Sequence, residues 1–280
     1  MTVRVVTDSA CDLPDPLAAE LGIEIVPLTI RFGVEELVDR RDFTPAEFWA
    51  RSHASPVLPQ TAAPSPGAYE ERYRGLAADG ATGIVVVALS GALSATLQSA
   101  QVAAAAVAEE IPVAVVDSRS VTLGIGMVAV AAARHATAGG SLDEVAATAR
   151  DLATRTHVVG TLDTLENLKK GGRIGGAKAL LASVLAIKPV IEVRDGWVAE
   201  GGRQRTRAKA FAFLVETVRQ AEPIEALAVA HGDASDVGRF LDMLRPLYAG
   251  DIVVGQIGAV IGAHTGPGTI GVIYQTVGAN

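Results

Sequence analysis

The sequence predicts an α/β protein of two domains: a parallel-sheet α/β/α domain over residues 1–160, then an α/β domain with a mixed sheet over residues 161–280. Three observations predict it. Continuous Val/Ile runs alternate with helical segments in the first half, the pattern of a parallel sheet covered on both faces. Past residue 160 the texture changes to short helices, glycine turns and a hairpin signal. A chain of 280 residues with 49% hydrophobic content is also large enough to bury two cores.

The elements follow in order. VRVVTDS is a β-rich run ending in polar turn residues. DLPDPLAAELG reads as a helix with Asp15 as N-cap, Pro16 at N1 and Gly22 as terminator. IEIVPLTIRF is a strand broken at Pro27. FTPAEFWARS opens with a capping box, Thr44 with Glu47, and SPGAYEERYRGL opens with Ser65 and Pro66. GIVVVALS and IPVAVVDS are buried strands, each followed by an Ala-rich or apolar helix. SLDEVAATARDLATRT adds a helix with Ser141 and Glu144 as its box. Then come a short helix in TLDTLENLKKGG, a helix and strand in LLASVLAIKPVIEVRDG with a hairpin turn at Asp195-Gly196, and a helix near 207–221. A strand at IEALAVAHG, a helix near 235–248, a strand across DIVVGQIGAVIGAHTG and a last strand in GTIGVIYQTVG complete the chain. No linker or repeat separates the halves, so the two domains are expected to abut with a cleft between them.

Composition excludes several functions. Aromatic residues are 4% and the formal net charge is -7, which argues against stacking platforms for bases and against a phosphate-backbone partner. A single cysteine, Cys11, offers neither an internal disulfide nor a metal cluster. The start of the chain lacks the apolar stretch of a secretory signal, and the longest apolar run stops at Arg134, too short to span a bilayer. The expectation is a soluble, cytoplasmic protein without an integral membrane segment.

Enzyme signatures fail one by one. Gly171 and Gly176 have phosphate-loop spacing, but Ala177 stands where the lysine belongs. Neither Ser90 nor Ser94 sits in Gly-x-Ser-x-Gly. The histidines show no metal-ligand spacing, so no metal or cofactor is expected. What remains is a set of polar groups in loops at strand ends. Thr61 lies between prolines in LPQTAAPSP. Ser94 lies between a buried strand and a helix start, where unpaired N–H groups favour an anion. His264 lies in GAHTGPG. Together they could bind a carboxylate or phosphate. Each also has a simpler use: Ser94 as N-cap, Thr61 as turn residue, His264 as a structural histidine.

Taken in order, TDSACDLP, QTAAPSP, LSGALSATLQSA, VVDSRSVTLGIG, LKKGGRIGG, IKPVIEVRDG, RTRAKA and GAHTGPGTIGV resemble the loops of the DegV family, over nearly the whole chain. The resemblance implies a carrier rather than an enzyme. One long-chain fatty acid would lie in a tunnel between the domains, its carboxylate held by Thr61, Ser94 and His264, with Ala62, Ala95 and Thr96 beside them. It also implies a partner, a fatty acid kinase that makes acyl phosphate from the presented lipid. Ala62 and Ala63 stand where the family usually has Ser-Gln, Gly91 where a second serine is common, and Ala95 in place of the glycine after Ser94. The alternative is an acyl hydrolase with Ser94 as nucleophile, His264 as base and Asp8 or Asp117 orienting it.

Charge is uneven. Between Lys169 and Lys209 stand ten basic residues and three acids, a net +7; the remaining 14 basic and 28 acidic residues give -14. An island of this kind reads as a docking face for the kinase, with Lys169, Lys170, Arg173 and Arg205 as its candidates, or as ordinary solvated surface.

Overall fold

The computed structural model describes residues 2–55, 57–182 and 187–278. Its strands are β1 (Val3–Asp8), β2 (Glu24–Val26), β3 (Thr29–Phe32), β4 (Glu35–Val38), β5 (Gln60–Ala62), β6 (Gly83–Ala88), β7 (Val113–Asp117), β8 (Thr156–Thr161), β9 (Lys188–Arg194), β10 (Trp197–Gln204), β11 (Ile224–His231), β12 (Val253–Gln256) and β13 (Ile270–Thr276). They form a parallel sheet in the order β2-β1-β6-β7, a mixed sheet in the order β10-β9-β8-β13-β11-β12, and a small antiparallel sheet β4-β3-β5. In the mixed sheet only the β11–β12 pair is parallel.

The two large sheets are layers of one stack. Tyr69, Tyr73 and Ala100 of the helices Pro66–Ala78 and Thr96–Ala106 pack on Val6, Ile84 and Val86, one face of the parallel sheet. Val5, Val85 and Val87 point the other way, into a cluster with the helices Leu123–Thr137 and Leu142–Arg155. That cluster continues into Val158, Ala228, Ala230 and Ile273 of the mixed sheet. Their alternates Val159, Val229 and Val272 face the helices Arg207–Gln220 and Val237–Leu244 on the far side. Two-residue alternation thus puts a core on each face of the central strands of both large sheets. The middle helical layer serves both sheets, which is why Leu123–Thr137 is apolar on nearly all sides.

Local signals hold at most element ends. Both capping boxes form, Ser65 accepts the Ala68 amide proton, and Asp195 (φ 52°) with Gly196 (φ 82°) makes the turn from β9 to β10. Other readings shift. The first α-helix is Asp15–Glu20 with Pro14 before it, and the Asp15 carboxylate accepts from Arg40 at 2.9 Å instead of capping. The break at Pro27 separates not two pieces of one strand but two sheets, since β2 pairs with β1 and β3 with β4 and β5. The stretch 251–266 is not one strand: β12 ends at Gln256 and a helix, Ala259–Thr265, follows. Its residues Ala259–Ala263 are all buried, so no periodic pattern marked it. Gly175–Ala182 form a 3-10 helix, and the rest of the helix expected there, residues 183–186, lies outside the described residues.

Candidate functional site

Thr61 and His264 meet from opposite ends of the sequence. Thr61 is in β5 rather than a free loop, opposite Ile30 of β3, so strand pairing fixes its direction. His264 stands on the last turn of the helix Ala259–Thr265. That helix is held at its start and in its middle. The Asp12 carboxylate accepts the N–H of Gly258, the residue before it, at 2.8 Å. The Trp49 indole donates to the Ile257 carbonyl at 2.8 Å. Gly262 lets it settle on Phe48 and Trp49, where a Cβ would come within 2.8 Å of both rings. Thr61 Oγ1 then lies 3.1 Å from His264 Nε2.

The imidazole is neutral in this setting. Burial, and then the positive charge of Arg173, push its pKa down to about 4. Its Nδ1 is buried with no hydrogen-bond partner among the described residues. Gly171 is the reason the ring fits: a Cβ there would stand 2.3 Å from His264 Nδ1.

Behind this pair lies a narrow, largely apolar cavity of about 90 Å³, lined by the mixed sheet and by residues that follow the parallel strands, among them Leu28, Leu89 and Val121. Leu89, Leu93, Val158, Ile191, Ile257 and Ile261 contribute apolar wall, and Thr61, Ser94, Arg173 and His264 contribute polar atoms. In front lies an open polar vestibule that shares Thr61, Arg173 and His264 and adds Gln60, Lys170 and Gly171. Polar groups therefore sit where the apolar space meets the vestibule.

Ser94 lines the same cavity but is not the helix N-cap. The helix starts at Thr96 after Ala95, and the Ser94 hydroxyl lies 2.9 Å from Thr96 Oγ1 while accepting the Thr96 N–H at 3.3 Å. Thr96 is buried and Ala95 and Ala62 are exposed; none of the three lines the cavity. Asp8 is buried and accepts from the amides of Ala10 and Leu89, and Asp117 from those of Gly91 and Arg119. Neither bonds the histidine.

The basic island divides. Lys188 pairs with Asp163, Arg194 with Glu192, Arg203 with Glu200, and Arg207 with Asp236 through two nitrogens. Lys170 makes an exposed pair with Glu166 at 3.4 Å, and Lys169, Lys178, Arg205 and Lys209 are exposed. Arg173 is half-buried in the wall itself, donating to the Leu93 carbonyl at 3.3 Å and to that of Gly171 at 2.8 Å. Sequence reasoning read it as surface. The GGR turn was the available signal, but only the fold brings it against Leu93. Lys170 borders the vestibule, whereas Arg205 borders neither space.

Fold and site together define a layered α/β protein with a partly open, largely apolar pocket that meets a polar vestibule at Thr61, Arg173 and His264. The chain belongs to the DegV family: the model described as "Uncharacterised protein, DegV family" matches residues 2–277. It is similar to a DegV domain-containing protein of Streptomyces coelicolor, 39% identical over 281 residues, covering 98% of each chain. Among solved structures it resembles a fatty-acid-binding DegV family protein from Thermus thermophilus, 34% identical with TM-score 0.89, covering 99% of this chain and 100% of that one. It also resembles a stearic-acid-binding protein from Eubacterium ventriosum, 26% identical with TM-score 0.89, covering 98% of both. Among the described residues no helix is long and apolar enough to cross a membrane, and no group of His, Cys, Asp and Glu side chains could hold a metal ion.

Proposed function

We propose that this chain binds one long-chain fatty acid in the cavity and presents its carboxylate at the vestibule to a fatty acid kinase, which forms the acyl phosphate. The observation that carries this reading is the Thr61–His264 contact where a largely apolar cavity meets the vestibule, with Ser94 elsewhere in the cavity lining. The proposal includes the division of the chain near residue 160, with the tunnel between an amino-terminal and a carboxy-terminal unit. Burying a methylene contributes about 0.8 kcal/mol, so fifteen of them represent roughly 12 kcal/mol gross. A hydrogen bond to a charged head group contributes about 1.5–3 kcal/mol. The tail supplies affinity, and the head contacts fix which end faces out.

The arrangement favours a carrier over a hydrolase. A base must accept a proton near neutral pH, yet the His264 pKa is pushed down to about 4. Its Nε2 faces Thr61, and the Ser94 hydroxyl is engaged with Thr96. Asp8 and Asp117 are occupied with backbone amides. The fatty acid is a ligand here, and no cofactor enters the proposal.

The test is mass spectrometry of lipid extracted from the purified protein, with binding of added fatty acid. About one free fatty acid per chain is expected. Repeated absence of any acyl chain and no uptake of added fatty acid would refute the reading, and turnover of acyl esters that is lost in Ser94→Ala would favour the hydrolase.

A further inference from the structure

Gly271 has no local reason to be glycine. It lies inside β13, in the extended backbone of the strand, outside the left-handed region. A Cβ built on it would meet only the carbonyl oxygens of Val159 at 3.8 Å and Ala230 at 3.9 Å, ordinary contact distances. Other glycines of the mixed sheet differ: at Gly160 a Cβ would press the Ile270 carbonyl at 3.1 Å, and at Gly255 the Asp12 carbonyl at 2.6 Å. Those two are explained by close backbone approach. Glycine weakens a strand interior, and where the backbone does not require it, it marks close approach by something else.

Strand register shows what that is. Gly271 stands opposite Gly160 of β8 and Ala230 of β11. Directly paired residues share a face of the sheet, and all three line the apolar cavity. Two residues along, the same face carries Val158, Ile273 and Ala228, with Ile273 and Ala228 in the core rather than the cavity wall. The cavity therefore reaches down to the sheet along the Gly160–Gly271–Ala230 row, where side chains are absent or a single methyl, while Ile273 and Ala228 of the next row are core.

We propose that Gly271 gauges the tunnel: its absent side chain leaves the depth through which an acyl tail passes, so this position sets the longest chain the protein accepts. The inference rests on the fatty-acid reading above.

The test compares wild type, Gly271→Ala and Gly271→Val, measuring displacement of a fluorescent fatty acid by stearate and by octanoate, with a thermal melt of each protein. Gly271→Val should raise the Kd for stearate relative to octanoate by about tenfold or more, the order seen when a methylene is gained or lost in an apolar pocket. Gly271→Ala should shift the ratio the same way by less, with an equal or higher Tm. If Gly271→Val fails to fold, Gly271→Ala decides. A wild-type ratio in a folded variant overturns this inference alone. A wild-type protein that binds neither acid overturns the fatty-acid reading and the gauge with it.

Discussion

The Asp12 carboxylate accepts the Gly258 amide proton at 2.8 Å, so the turn after the first strand caps the helix that carries His264. Capping is usually local; here it joins the two large sheets. Asp12→Ala would leave that N–H buried and unpaired, a cost of about 1–3 kcal/mol, while Asp12→Asn keeps an acceptor. Denaturant unfolding should rank Asp12→Ala below Asp12→Asn, and equal stabilities would mean the bond contributes nothing.

The same carboxyl gives a pH signature. Burial pushes Asp12 up to about 7 and Asp8 up to about 6. An unfolded chain releases these protons near the ordinary aspartate value, so between about pH 4 and pH 7 the folded state holds more protons and loses stability as pH rises. His264 acts oppositely: its pKa, pushed down to about 4, contributes stability that is lost as pH falls from about 6.5 towards 4. Comparison with Asp12→Asn isolates one term. The stability of this variant minus that of wild type should grow from about pH 4 to pH 7 and level off above; a flat difference contradicts the buried ionisation.

Removing head-group contacts should loosen placement more than binding. Ser94→Ala and His264→Ala are each expected to weaken fatty-acid affinity by about tenfold to a hundredfold, the worth of one hydrogen bond to a charged group, while the tail keeps the lipid bound. Crystal structures with lipid would show whether the carboxylate wanders. A carboxylate far from Ser94 in wild type would remove that residue from the site.

Gly171→Ala addresses the imidazole without touching it. A Cβ placed 2.3 Å from His264 Nδ1 must displace the ring, which should break its contact with Thr61. Fatty-acid affinity should fall about as far as in His264→Ala, and a crystal structure with the histidine unmoved would contradict the packing argument.

The exposed lysines test docking. Electrostatic association weakens with salt, so Lys169→Glu and Lys170→Glu should slow acyl-phosphate formation with a fatty acid kinase, most at low ionic strength, and leave lipid binding intact. Unchanged transfer and salt dependence would make these lysines plain solvated surface.

Much of the fold was legible because its signals are local. Val/Ile runs, capping boxes and the Asp195-Gly196 turn each state their own conformation. Thr61, Ser94 and His264 stood out as polar groups in strand-end loops, and the structure brings all three to one cavity. The support around them was not legible. β5 exists only by pairing with β3, the helix Ala259–Thr265 is too buried to show a period, and Arg173 becomes part of the wall only when Leu93 arrives. Each of these is a tertiary fact. Nothing local marks Gly271 either: its place beside Gly160 and Ala230 comes from strand pairing.

The strand furthest along the sequence, β13, occupies the middle of the mixed sheet, between β8 and β11. A ribosome that has added every residue up to Thr269 has released a sheet in two halves, with the row that floors the cavity still incomplete. Pairings of such long sequence separation form slowly and leave apolar surface exposed meanwhile. The cavity thus cannot close before β13 is made, and a nascent chain stalled shortly before β13 would be more prone to aggregate than one stalled after it.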